Sequence, residues 1–158
     1  MVAEITAPKS MGKVLGYNFS KVTAGNASVI LTSSMSVDAN GETNFERALT
    51  DMEMRIPSGV RTKKTVFHCS LNPHPDDRLT TEQLQDIARE YMEKMGYGKQ
   101  PYIVFKHNDI AREHIHIVSL RVDSYGKKLP YKFEARRSKR ITDELERKYG
   151  LIPSGKRR

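Results

Sequence analysis

The feature that most constrains this chain is the run His114-Ile115-His116-Ile117-Val118-Ser119-Leu120. Its β-branched content and short-range alternation read as a strand. Side chains two apart on a strand share a face. His114 and His116 are therefore neighbours, with Ile115 and Ile117 on the opposite face. Tyr102-Ile103-Val104-Phe105-Lys106-His107 reads as an earlier strand, and residues 108–113 between them are polar enough to form a hairpin loop. Such a hairpin brings His107 beside the pair. Three of the chain's five histidines then converge on one face. Three imidazoles with coordination positions left open are what a catalytic metal requires.

The chain has 158 residues, the size of one domain with a real core. With no Trp and 8% aromatic residues, that core is largely aliphatic. The single cysteine, Cys69, excludes an intrachain disulfide and fits a reducing compartment. The first nine residues are too polar for a signal peptide, and no apolar run approaches the roughly 20 residues that span a bilayer. A cytoplasmic protein without membrane contact is expected.

Charge is unevenly placed. Of 27 Lys/Arg and 19 Asp/Glu, twelve and four lie in residues 127–158, leaving fifteen of each before them. The whole net charge of +8 thus sits in the last fifth of the chain. A basic segment on a neutral body points to a polyanion, usually nucleic acid, although a solvated basic tail has the same composition.

Along the chain, Pro8 is placed to open a helix. Residues 9–22 read as a broken helix, because Gly12 and Gly16 weaken it. Ser28–Thr32 has strand character. Phe45, Leu49, Met52 and Ile56 recur at helical spacing from Asn44 until Pro57-Ser58-Gly59. Thr65–Leu71 reads as a strand with Phe67, Cys69 and Leu71 on one face and Val66, His68 and Ser70 on the other. Asn72–Asp77, with two prolines, is a loop. Thr80 with Gln83 forms a capping-box pattern before a helix whose stripe is Leu84, Ile87, Tyr91 and Met95, closed by Gly96. The second histidine strand is expected to continue through Arg121 and Val122. A final helix carries Ile141, Leu145 and Tyr149, with a basic first turn that opposes the helix dipole. Residues 1–150 form the expected domain and residues 151–158 a basic, linker-like segment, either the junction to a longer protein or the end of a complete small one. The pattern favours an antiparallel or mixed sheet packed with helices in two or three layers.

The same residues resemble a known family. His107, His114 and His116, with Asp109 between, are similar to the histidine motif of conjugative and mobilisation relaxases. These belong to the HUH endonucleases, named for a His-hydrophobic-His element, here His114-Ile115-His116. Leu15-Gly16-Tyr17-Asn18-Phe19-Ser20-Lys21-Val22 looks like the first motif of the mobilisation branch, and His68-Cys69-Ser70-Leu71-Asn72-Pro73 like its intermediate motif. Leu145–Leu151 resembles the segment closing the nuclease domain. The resemblance covers nearly the whole chain in the expected order.

It implies an α+β fold, an HUH-type five-stranded antiparallel sheet flanked by helices. It implies Tyr17 as nucleophile and His107, His114 and His116 as metal ligands. It further implies nicking of one strand at an origin of transfer, with a 5′-phosphotyrosine intermediate that can be religated. Mg or Mn is the family's usual cofactor, while imidazole donors also suit Zn, Ni, Co or Cu. The expected partners are single-stranded or hairpin DNA, accessory mobilisation proteins and a coupling protein, in a bacterial cytoplasm. Asp109 and Glu113 are candidates to orient the histidines or simply loop residues. His68 and Ser70 fall close enough for a supporting role or DNA contact. Lys127, Lys128, Arg136, Arg137, Lys139 and Arg140 are the candidate phosphate contacts. Two alternatives stay open: a replication initiator of the same superfamily, and a DNA-binding module with a structural metal. Motif order weighs against the initiator, which generally places its tyrosine after the histidines.

Overall fold

In the computed structural model, residues 1–108 and 112–154 are described. The elements run β1 (Val2–Thr6), α1 (Met11–Thr23), β2 (Ala27–Ser33), α2 (Phe45–Met54), β3 (Val66–Asn72), α3 (Thr81–Met95), β4 (Tyr102–His107), β5 (His114–Leu120) and α4 (Glu134–Tyr149). The strands form one sheet in the order β1-β3-β5-β4-β2, and every pairing is antiparallel. The histidine-bearing strand β5 is therefore central.

Two apolar clusters cover the two faces. Phe67, Cys69, Leu71, Val104, Ile115 and Ile117 pack under α3 and α4. Val66, Ile103, Phe105, Val118 and Leu120 pack under α1 and α2. The result is a three-layer sandwich, the α+β architecture expected. The stripe Leu84, Ile87, Tyr91 and Met95 is wholly buried. Thr80 and Gln83 make the reciprocal capping box, and Gly96 ends α3 in the left-handed region at φ 91°.

Several local expectations change. α1 is one unbroken helix, capped by Ser10 rather than opened at Pro8. Each glycine costs about 1 kcal/mol of helix propensity, but Met11 and Leu15 are buried against the sheet and hold the helix together. At Gly16 a Cβ would stand 3.6 Å from the Phe45 ring, so α1 and α2 meet there at ordinary contact distance. The polar-looking N-terminus forms β1, an edge strand whose Ala3 and Ile5 pack on the core. Asn72 is the last residue of β3, its side-chain amide donating to the Val2 carbonyl. β5 stops at Leu120; Arg121 leaves the ladder, and Val122 bridges only to Lys128. The first turn of α4 contains Glu134, which pairs with Arg121 at 2.9 Å, so it is not uniformly basic. Leu151 is buried, and Ile152 and Ser154 donate to Asp77 and Glu146, so residues 151–154 lie against the body.

Candidate active site

The β4–β5 hairpin sets the site. His107 and His114 are cross-strand partners, and His116 faces Phe105 two pairs further along, on the same face of the sheet. All three histidines project from the α1/α2 face, just beyond the apolar cluster that those helices cover. Their ring centroids lie 4.1 Å (His107–His116), 5.0 Å (His114–His116) and 5.2 Å (His107–His114) apart. One nitrogen from each ring falls within 4.8 Å of the others. Ligands bound at about 2.1 Å can be at most about 4.2 Å apart. A slight closing of the rings therefore brings all three onto one ion. Neutral nitrogen donors in this arrangement fit a divalent cation with open coordination positions.

Hydrogen bonds to His107 and His116 orient these two rings. Asn18, buried on α1, donates its amide to the Val14 carbonyl at 2.8 Å. This turns Oδ1 toward His107 Nε2, 2.7 Å away. An amide oxygen only accepts, so Nε2 carries the proton and Nδ1 is the lone-pair nitrogen of His107. On the other side, His116 Nδ1 meets His68 Nε2 at 2.9 Å, and His68 Nδ1 meets the Thr6 hydroxyl at 2.9 Å. With Nδ1 engaged in this relay, Nε2 is the candidate metal-binding nitrogen of His116. Burial lowers the pKa of His68 and favours the neutral ring that such a relay needs.

Tyr17 precedes Asn18 on α1. Successive helical residues point about 100° apart, so the buried amide and the exposed phenol reach the cluster from one turn. The Tyr17 ring is 56% exposed and lies 6.4 Å from the His107 ring at 28°. Lys21, one turn on, places its ammonium 5.6 Å from the Tyr17 ring centre.

Of the supporting residues read from sequence, His68 touches a cluster histidine directly. Ser70 is the cross-strand partner of His116, and its hydroxyl receives the Asn72 amide at 3.1 Å. Glu113 instead pairs with Lys106 at 2.6 Å. Asp109 lies outside the described residues. The basic candidates sit at the other end of the sheet. Lys127, Lys128, Arg136 and Arg140 are exposed. Arg137 donates to the Met95 carbonyl at 2.8 Å, and Lys139 pairs with Asp143. Asn18, Thr6 and Lys21 are the site residues that sequence reasoning missed. Asn18 lay next to the chosen tyrosine, but nothing local marked it as buried.

The profile of the family "Relaxase: MobA/VirD2-like, nuclease domain" matches residues 17–151. That is most of the chain, and the chain belongs to this family of relaxase nuclease domains. The family is one of nuclease domains that nick DNA for mobilisation, and the five-stranded antiparallel sheet with its four helices is consistent with it. Compared with curated proteins, the chain matches none. Among the described residues, no helix is long and apolar enough to cross a membrane.

Proposed function

We propose that this domain nicks one DNA strand at an origin of transfer by transesterification onto Tyr17. The observation that carries the reading is the placement of the Tyr17 phenol beside His107 of the three-histidine cluster. His107, His114 and His116 would hold a divalent cation, Mg or Mn by family habit. That cation supplies Lewis acidity at a non-bridging oxygen of the scissile phosphate.

The chain's own residues do the rest. Asn18 and the His68–Thr6 relay hold the imidazoles as orientated donors. Tyr17 Oη attacks phosphorus in line, forming an O–P bond as the P–O3′ bond breaks. The 3′ oxygen takes up a proton and leaves as a free hydroxyl, while the phenol loses its proton. The phosphodiester bond is exchanged rather than hydrolysed, so the step runs in reverse to religate the strand. Exposure of Tyr17 leaves room for a backbone already single-stranded or extruded as a hairpin. Accessory mobilisation proteins and a coupling protein would deliver and use that strand.

The test is a denaturing gel of the protein incubated with single-stranded oligonucleotides tiled across the DNA flanking its gene. A covalent protein–oligonucleotide band should form with divalent metal, and should be lost in Tyr17→Phe and His114→Ala. A band that survives Tyr17→Phe moves the nucleophile elsewhere. DNA binding without any covalent band supports the structural-metal alternative.

A further inference from the structure

At the far end of the sheet from the histidines, on the α3/α4 side, lies a groove of about 960 Å³. It runs between the C-terminal end of α3 and the connection from β5 to α4. Lys94, Lys99, Lys127, Lys128, Lys132 and Arg137 line it, against Glu93 and Asp123. Lys94 is engaged by Glu144. Lys99, Lys127, Lys128 and Lys132 are exposed, and no carboxylate pairs with them among the described residues. The Asp123 carboxylate is occupied by the main-chain amides of Tyr125 and Lys127. The balance of available charge in the groove is positive.

Aromatic rings accompany this charge. The exposed rings of the described chain are Tyr17, Tyr125, Tyr131 and Phe133; the last three fall within nine residues of the groove connection. Tyr131, 51% exposed, lines the groove; Phe133, 67% exposed, follows it by two residues, outside that lining. Lys128 Nζ lies 4.1 Å from the Tyr131 ring centre, and the Arg136 guanidinium 5.1 Å from that of Phe133. Phe133 has a left-handed backbone, φ 56°, at the start of α4. That conformation is costly for a bulky residue. Here it holds an apolar ring out in water rather than in the core.

We propose that this groove is a second DNA-binding site, for single-stranded DNA distant from the scissile phosphate. The lysines would track the backbone, and Tyr131 and Phe133 would stack on bases. Exposed rings interleaved with cations favour single strands, whose bases offer their π faces; a duplex keeps those faces stacked. β5 rises about 3.4 Å per residue, so its ends are separated by about 20 Å. A strand seated here is thus several nucleotides from the histidines. The inference rests on the domain handling DNA as proposed above and adds a contact region that the reaction itself does not use.

The test is fluorescence anisotropy of the whole chain with labelled oligo-dT over a salt series. The variants are Tyr131→Leu/Phe133→Leu, Tyr131→Phe, and a triple Lys127→Ala/Lys128→Ala/Lys132→Ala. Thermal melts establish that each folds. The double aromatic variant should bind at least about tenfold more weakly with an unchanged salt slope, while Tyr131→Phe retains affinity. The triple lysine variant should lower the slope of log K against log salt by about 2. Wild-type affinity and slope in both would overturn the proposal. Equal competition by duplex, lost in the same variants, would overturn its single-strand preference. The covalent-band assay separates the two readings: a wild-type band with unaltered oligo-dT binding in the variants sinks only the groove. Groove-dependent binding without a band sinks only the nicking assignment.

Discussion

Asn18 and His107, 89 residues apart in sequence, are joined by a 2.7 Å hydrogen bond that couples the tyrosine-bearing helix to the histidine hairpin. The bond is buried, and the Val14 carbonyl holds its amide in one orientation. It places the proton of His107 on Nε2 and ties the residue next to Tyr17 to the cluster. One short segment, Tyr17-Asn18, thus carries both the candidate nucleophile and the anchor that positions a candidate ligand.

Removing that anchor should weaken the metal site without touching a ligand. Loss of a group that orients a ligand typically costs 10- to 100-fold in metal affinity. Asn18→Ala is expected to lower Mn affinity in that range by titration calorimetry. Equal affinity in Asn18→Ala would mean that His107 is held by the strand alone.

Metal should stabilise the fold through the same cluster. A ligand at about 100 times its Kd adds about 2.7 kcal/mol. Chelator-treated protein should therefore melt lower and recover when Mn or Mg is restored. His114→Ala should abolish the recovery. His68→Ala should shift the metal concentration needed by about tenfold, since His68 supports His116 without being placed as a ligand. Identical melts with and without metal would count against a three-histidine site.

Cys69 is fully buried, and burial pushes its thiol up to about 12. The native thiol should react with maleimide far more slowly at pH 8 than in denaturant. The linkage has a definite sign. The folded thiol keeps a proton that the unfolded chain, with an ordinary value of 9.0, gives up. Its contribution to stability is complete below pH 9 and is lost as pH rises from 9 toward 12. Labelling at equal rates in native and denatured protein would show that the α3/α4 core is open.

The Thr80–Gln83 capping box lies on α3, away from the histidines. Thr80→Ala should cost about 1 kcal/mol in urea unfolding while leaving Mn affinity unchanged. A matching loss of metal binding would show that α3 stability reaches the site.

How much of this was legible depends on the range of the forces involved. The histidine hairpin followed from alternation within β4 and β5, and α3 from its stripe and its capping box. These signals are local, written within a few residues. β1 was missed because five residues at an edge carry too little alternation to stand out. α1 was misread because propensity counts its glycines but not the burial of Leu15. The pairing of Tyr17 with the histidines came from resemblance, not from any pattern in the residues.

By itself, then, the sequence determined which imidazoles share a face, where α2 and α3 start, and that the excess positive charge is concentrated near one end of the chain. Only the tertiary structure decided what meets those imidazoles. The register of β3 on β5 puts His68 against His116, and the packing of α1 puts Asn18 against His107. It also placed the exposed lysines of the groove at the opposite end of the sheet from the three-histidine cluster. The reason is geometric. Periodicity fixes the direction of a side chain within its own element, but distances between elements are set by pairing and packing, which no local run of residues encodes.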